Sequence, residues 1–100
     1  MTPSNTLSKG LKASLMDRSA TIAVVGMGYV GIPLAEALLD AGFRLVLFDI
    51  DEQKAIDLNE GLCYLEHLGQ GVFDKLQQSE QCQASADERD LAKADVHILC

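Results

Sequence analysis

The chain has 100 residues, of which 48% are hydrophobic, and this balance is typical of one folded domain with a single core rather than of a disordered segment. Its formal net charge is −7, and Lys9, Lys12 and Arg18 all lie in residues 1–20, so the rest of the chain is strongly acidic. An acidic body lacks the basic surface that neutralises phosphate, which argues against binding to nucleic acid or to an anionic membrane.

The N-terminal segment, residues 1–20, is rich in Ser, Thr and Lys, and its leucines alone follow a helical spacing. We expect a mobile extension here, and a transit peptide is the alternative. No run in it is apolar enough for a signal peptide. The uncharged stretch 19–35 is too short for a membrane span and is interrupted by glycines and by Pro33.

The first unit of regular structure follows this segment. Thr21–Val25 is continuously apolar, which predicts a strand buried on both faces. A glycine-rich turn comes next, followed by a helical pattern that includes Leu34 and Leu39 and ends at Gly42. Pro33 falls in or near the first turn of this helix, where its missing N–H costs little. The first unit is therefore strand, glycine turn and helix.

The remaining elements alternate in the same way. We predict a strand over 43–48, a helix over 51–60 capped by Asp51, a loop over 62–71, a helix over 72–79, a weak strand over 83–86, a helix over 87–94 and a strand over 95–100. Strands that alternate with helices predict a parallel sheet. The expected fold class is α/β, a Rossmann-like parallel sheet with helices on both faces. Because an apolar strand is still running at Cys100, we expect residues 21–100 to be the front part of this domain.

Cysteine and histidine usage gives little sign of special chemistry. The three cysteines, Cys63, Cys82 and Cys100, form no CxxC pair, and their odd number cannot close into a complete set of disulfides. We therefore expect a reducing, cytoplasmic setting in which each cysteine is a small buried hydrophobic residue. His67 and His97 show no metal-ligand spacing, and so we expect no metal site.

The glycines after the first strand carry the functional signal. Gly26, Gly28 and Gly31 match G-x-G-x-x-G, a pattern that is weak by itself because tight packing of a helix on a strand also favours it. Here a buried strand precedes the pattern, a helix begins within it and an acidic residue, Asp49, ends the next strand. In that context Gly26 allows the turn, Gly28 lets a pyrophosphate approach the backbone and Gly31 lets the helix pack closely. The helix N-terminus then binds the phosphates without a lysine.

Asp49 lies 18 positions after Gly31, close to the spacing of about 20 expected of the residue that binds the adenosine ribose. Its carboxylate would accept hydrogen bonds from the ribose hydroxyls and repel a 2′-phosphate, so the cofactor expected is NAD rather than NADP. A helix N-cap or a solvated turn residue is the alternative for Asp49.

Four stretches together resemble a known family. They are "IAVVGMGYVGIPLAEALLDAGF", "LFDIDEQKAIDLNEG", "CYLEHL" and "ADVHILC", and they resemble the NAD-binding domain of the UDP-glucose/GDP-mannose dehydrogenase family over about residues 21–100. The "CYLEH" stretch is most similar to the branch that oxidises UDP-N-acetylhexosamines, notably the UDP-N-acetylglucosamine 6-dehydrogenases. The resemblance implies that the pyrophosphate is lined by Gly26, Met27, Gly28, Tyr29, Val30 and Gly31. It also implies that Asp49 and Lys54 reach the adenosine ribose; without the family, Lys54 is an exposed helix residue.

The resemblance also implies a reaction. Members of this family oxidise the C6 alcohol of a nucleotide sugar to a carboxylate in two hydride transfers to NAD, through a thioester on a cysteine. That cysteine belongs to a downstream motif which this sequence lacks, so no cysteine of this chain is assigned to it. Cys100 ends a strand and is expected to pack in the core; a place near the cofactor is the alternative, because ligands of open α/β sheets bind at the carboxyl ends of strands. Tyr64, Glu66 and His67 are assigned a structural or subunit-contact role.

The function expected is therefore that of the NAD-binding part of a UDP-sugar 6-dehydrogenase that serves polysaccharide biosynthesis, is cytoplasmic and is homo-oligomeric when full length. Two alternatives stay open. One is the same domain in another NAD-linked dehydrogenase, such as a hydroxyacid type. The other is a stand-alone NAD-binding module without catalytic activity.

Overall fold

The computed structural model describes residues 19–100. Its strands are β1 Thr21–Val25, β2 Arg44–Phe48, β3 Cys82–Ser85 and β4 Val96–Leu99, and its α-helices are α1 Gly31–Asp40, α2 Glu52–Asn59 and α3 Gln70–Gln78. Two 3₁₀ helices, Glu66–Leu68 and Glu88–Lys93, lie in the connections. The predicted mobile extension lies outside the described residues, apart from Ser19 and Ala20.

The four strands form one parallel sheet in the order β3–β2–β1–β4. The chain runs outward from β1 through β2 to β3 and then returns to pair β4 with the other side of β1. The strand order thus reverses between β1 and β4, and ligands of open α/β sheets bind beside the carboxyl ends of strands at such a point. The predicted Rossmann-like α/β class is confirmed.

One face of the sheet packs against the three α-helices. Every second residue of a strand points to this face. The core formed there includes Ile22, Val24, Leu45, Leu47 and Ala84 from the strands and Ile32, Ala35, Ala55, Leu58, Phe73 and Leu76 from the helices. Because burial of apolar surface is the dominant favourable term in folding, this layer fixes the helices, and with them the loops that follow the strands.

The opposite face of the sheet carries the 3₁₀ helix Glu88–Lys93. Ser85 and His97 belong to the alternate residues that point this way, and both contact the 3₁₀ segment. The Ser85 hydroxyl donates to the Asp90 carboxylate, and His97 Nε2 lies 2.8 Å from the carbonyl oxygen of Leu91. A helix was predicted over 87–94, and the structure corrects its type, because contacts from both flanking strands hold this short segment tightly coiled.

The connection after α2 also differs from its prediction. The loop predicted over 62–71 contains the short turn Glu66–Leu68, and α3 begins within it, at Gln70. The Gln70 side chain donates to Asp74 Oδ1 at 2.8 Å, one helical turn later, and to the carbonyl of Gly61 at 2.6 Å. These two bonds stabilise a first turn that carries no apolar pattern. The other elements lie within one or two residues of their predicted bounds.

Across residues 19–100, the helices are too short or too polar to cross a membrane.

Candidate functional site

A cleft of about 280 Å³ opens at the carboxyl ends of β1 and β2. Its lining holds Cys100 and all the residues that the sequence assigns to the cofactor, namely Gly26, Met27, Gly28, Tyr29, Val30, Gly31, Asp49 and Lys54. A larger hollow of about 430 Å³, between α2 and the end of β3, contains none of these predicted residues. The fold therefore brings the whole predicted set together in one place.

The three glycines of the loop meet different steric demands. Gly26 has φ 115°, a left-handed conformation that other residues rarely adopt, and its N–H donates to Phe48 O at 2.7 Å. A Cβ at Gly31 would lie 1.7 Å from the carbonyl oxygen of Gly26, so only glycine allows α1 this close to β1. A Cβ at Gly28 would meet no atom within 4 Å. Gly28 thus leaves open space where a ligand can approach the backbone.

The N-terminus of α1 faces this open space without a capping side chain. Val30 occupies the N-cap position and makes no side-chain hydrogen bond, and the first turn of α1 contains no acidic residue. The Ile32 N–H donates to the carbonyl of Gly28 at 3.0 Å and Pro33 has no N–H, so the remaining N–H groups at the start of α1 and the positive end of the helix dipole are what this end of the helix offers an anion. This arrangement fits a pyrophosphate group, the ligand that was predicted for the loop.

Asp49 is fixed at the end of β2 by backbone donors. The N–H of Met27 donates to Asp49 Oδ2 at 3.0 Å, the N–H of Asp51 donates to Oδ1 at 2.9 Å, and Lys54 Nζ lies 3.7 Å from Oδ2. Burial by itself raises the pKa of this carboxyl, but the two N–H groups and Lys54 outweigh it and hold the pKa below its ordinary value. Asp49 is therefore charged at neutral pH, and its remaining lone pairs are able to accept further donors.

The capping role that was the alternative for Asp49 is filled by its neighbour. Asp51 is the N-cap of α2, and its carboxylate accepts from the N–H of Gln53 at 3.1 Å, as predicted for that residue. Asp49 instead joins the end of β2 to the glycine loop. This second contact follows from no local pattern, since Met27 and Asp49 are 22 positions apart.

A contact from Tyr64 likewise follows from no pattern in the sequence. The Tyr64 hydroxyl donates to the carbonyl of Met27 at 2.7 Å, across 37 positions of sequence. The Tyr64 ring meets Phe73 edge to face, with ring centroids 4.9 Å apart. Nearby, the rings of Tyr29 and His67 lie 6.3 Å apart. Residues of the "YLEH" stretch therefore pack beside the glycine loop.

The burial predicted for the cysteines is wrong at Cys100. It is exposed and lines the cleft at the carboxyl end of β4. Cys63 and Cys82 are partly buried, and all three cysteines are free thiols. Among residues 19–100, no group of three His, Cys, Asp or Glu side chains is arranged to hold a metal ion.

Comparison with known proteins identifies a matching family. Residues 20–100 match the model of the UDP-glucose/GDP-mannose dehydrogenase family, NAD binding domain. The chain belongs to this family. The matching part is the NAD-binding domain of the family, and NAD is the cofactor that the glycine loop and Asp49 predict. The prediction of NAD is therefore confirmed.

Individual relatives share the same domain. A UDP-N-acetyl-D-mannosamine dehydrogenase of Methanococcus aeolicus is 30% identical over 79 residues, which are 79% of this chain and 18% of that protein. The structure of a UDP-D-ManNAc dehydrogenase from Pyrococcus horikoshii is 26% identical with a TM-score of 0.72, over 80% of this chain and 19% of that one. A GDP-mannose dehydrogenase from Pseudomonas aeruginosa, at 23% identity and a TM-score of 0.69 over 79% of this chain and 19% of that one, shares the fold. The chain spans less than a fifth of the length of these relatives.

Proposed function

We propose that this chain is the NAD-binding part of an enzyme that oxidises the C6 alcohol of a UDP-N-acetylhexosamine to the uronate in two NAD-dependent steps. The observation that carries the proposal is the convergence of the uncapped helix N-terminus, the open backbone at Gly28 and the charged Asp49 on one cleft. The membership of the family supports the reaction, and the relatives that act on UDP-N-acetyl-D-mannosamine support a hexosamine substrate.

Each residue of the cleft has a proposed role in holding NAD. The backbone of residues 26–31 and the start of α1 bind the pyrophosphate, with Tyr29 and Val30 at the exposed rim. Met27 lines the cleft with its backbone but donates nothing to the phosphates, since its side chain is fully buried in the core and its N–H already donates to Asp49. Asp49 and Lys54 bind the adenosine ribose. When bound, NAD supplies the hydride acceptor, and this domain orients it toward a catalytic cysteine carried elsewhere in the enzyme.

The preference for NAD over NADP follows from the charge of Asp49. The carboxylate is ionised, and a 2′-phosphate placed against it would be repelled. Lys54 Nζ lies 3.7 Å from the same carboxylate, so its positive charge is already engaged in an ion pair. We expect NAD to bind more tightly than NADP for this reason.

The binding role is tested by titrating NAD into the purified protein and into the variant Asp49→Ala by calorimetry. Loss of charge-assisted hydrogen bonds worth about 1.5–3 kcal/mol weakens NAD binding by about tenfold to a hundredfold. The matched control is Asp51→Ala, which removes a neighbouring carboxylate that caps α2. It lowers the stability by about 1 kcal/mol and leaves NAD affinity unchanged. Equal affinities of Asp49→Ala and the wild type would show that the ribose is bound elsewhere.

The reaction is tested with the natural full-length protein. Incubation with NAD and UDP-N-acetylglucosamine, UDP-N-acetylmannosamine or UDP-glucose is followed by NADH absorbance and by mass spectrometry of the sugar. We expect a uronate from an N-acetylhexosamine, with two NADH for each sugar oxidised. Turnover of a hydroxyacid instead of these sugars would support the other type of dehydrogenase.

The natural protein also distinguishes an enzyme from a stand-alone module. Detection in its source cell with an antibody against residues 64–73 gives its mass, and we expect several times the 10.8 kDa of this chain. A mass near 10.8 kDa would favour the non-catalytic module. The same detection after fractionation and cross-linking tests the proposed cytoplasmic location and homo-oligomer.

A further inference from the structure

The peptide group on each side of Met27 is held by a different part of the chain. On one side, the N–H of Met27 donates to Asp49 Oδ2 at 3.0 Å; on the other, its carbonyl accepts from the Tyr64 hydroxyl at 2.7 Å. The Met27 side chain is fully buried, so the residue cannot turn without leaving the core. The backbone just before Gly28 is therefore clamped in one orientation.

The orientation of this backbone decides the direction of the next hydrogen-bond donor, the N–H of Gly28. The Met27 carbonyl and the N–H of Gly28 belong to the same peptide group, and no peptide bond among the described residues is cis. In a planar trans peptide the C=O and N–H bonds point in opposite directions. Because Tyr64 holds the carbonyl from one side, the Gly28 N–H is directed to the other side, and Gly28 lines the cleft.

Tyr64 is itself held firmly enough to act this way. Its ring meets the ring of Phe73 edge to face at 4.9 Å and 78°, and Phe73 is fully buried on α3. Burial, followed by the nearby carboxylates of which Asp49 contributes most, raises the pKa of the Tyr64 hydroxyl above its ordinary value. The hydroxyl therefore remains a proton donor throughout the physiological range.

We propose that Tyr64 is a positioning residue for the dinucleotide: its hydroxyl fixes the Met27–Gly28 peptide so that the Gly28 N–H faces the cleft and donates to the pyrophosphate. The proposal rests on the proposed binding of NAD in this cleft and assigns to the "YLEH" stretch a function beyond packing. Tyr64 acts through Met27 and does not itself contact the cofactor.

The test uses Tyr64→Phe, which keeps the ring against Phe73 and removes only the hydroxyl. NAD and adenosine, which lacks phosphate, are each titrated by calorimetry into the wild type and the variant. Loss of the preset donor weakens NAD binding by about tenfold, while the affinity for adenosine stays within about twofold. A merely structural role for Tyr64 would change both affinities together or neither, and either result would overturn the proposal.

The matched control is Asn59→Ala. The Asn59 amide donates to the carbonyl of Ala84 at 3.1 Å, a bond of the same kind that lies outside the cleft. We expect this variant to bind NAD like the wild type. If the wild type binds no NAD, the proposed function fails and this inference fails with it; if the wild type and Tyr64→Phe bind NAD equally, only the role of Tyr64 is refuted.

A measurement on the wild type makes the test independent of the folding of any variant. In amide NMR spectra, the Gly28 proton moves downfield on addition of NAD and not on addition of adenosine, because only NAD offers a phosphate acceptor. An unchanged Gly28 signal in saturating NAD would refute the proposed donor.

Discussion

Gly28 and Gly31 are three positions apart, yet their surroundings differ: Gly31 is tightly packed, and Gly28 faces open space. At Gly31 an added methyl group would overlap the carbonyl of Gly26, a backbone atom that cannot move without displacing α1 from β1. At Gly28 the same methyl group would enter the open cleft. One glycine is required by the fold, and the other by whatever approaches the backbone from outside.

This contrast predicts different results for two alanine variants. Gly31→Ala loses about 3 kcal/mol of unfolding free energy through overpacking, as measured by urea denaturation. Gly28→Ala changes stability by less than about 1 kcal/mol, but it weakens NAD binding by about tenfold or more because its methyl group occupies the approach of the pyrophosphate. Normal NAD affinity in a folded Gly28→Ala variant would place the pyrophosphate elsewhere.

At the scale of single residues, the sequence predicts some site residues but not the contacts between them. The glycines and Asp49 were assigned from their spacing along the chain, because a glycine turn and a strand-end carboxylate are local patterns. The bonds of Met27 to Asp49 and Tyr64 were not predicted, because these pairs are 22 and 37 positions apart and only the packed fold brings them together.

Among the secondary-structure elements, strand β3 partly buries a cysteine, Cys82. Cys82 pairs with Leu45 of β2 and packs against the core on the helical side of the sheet. Burial raises the pKa of its thiol to about 12, and thiols react with alkylating agents as thiolates. The location of Cys82 in β3, rather than a specific partner, accounts for this shift.

We therefore expect Cys82 to resist iodoacetamide at about pH 8 in the folded protein, since the thiol stays protonated and partly covered. In urea the same residue is labelled rapidly, because its pKa returns to the ordinary range for cysteine. Peptide mass spectrometry of the two samples measures the difference. Equal labelling of Cys82 with and without urea would show that β3 opens readily from the sheet edge.

Elements were predicted correctly where an apolar pattern defines them, and the type of one helix was not predicted because side-chain contacts with the strands before and after it decide its geometry. Continuous apolar runs predicted β1 and β2 within one residue of their observed bounds. The segment Glu88–Lys93 has the acidic first turn of an α-helix, but contacts from Ser85 and His97 hold it as a 3₁₀ helix. Neither contact follows any periodicity that the sequence displays.

For the molecule as a whole, several carboxylates titrate below their ordinary range. Arg89 is the main cause that lowers the pKa of Asp87, to about 2. Lys93 and Ser85 lower the pKa of Asp90, and backbone donors lower that of Asp49 against the effect of burial. Groups with a lowered folded-state pKa stabilise the protein above their unfolded-state pKa and lose this contribution as the pH falls through the folded-state value.

We accordingly expect the Tm to fall on acidification, and the contribution of Asp87 to disappear between pH 3.8 and about 2. Arg89→Ala makes this part of the fall shallower, since it removes the main cause of the shift, although the effect is small for so exposed a pair. Arg44→Ala, which removes an exposed arginine at the start of β2, is the control. Thermal denaturation across the pH range measures all three proteins, and identical curves for Arg89→Ala and the wild type would contradict the prediction.

The hydrogen bonds of the sheet continue past the ends of its strands. Gly26 N–H donates to Phe48 O, Asp49 N–H to Ser85 O and Cys100 N–H to Val25 O. The floor of the cleft therefore shares the stiffness of the sheet, whereas the exposed side chains of Tyr29 and Val30 leave its rim adaptable. A dinucleotide would bind with its phosphates against a rigid surface, where ordering the protein chain costs little conformational entropy. At the rim it would contact side chains that can still rearrange.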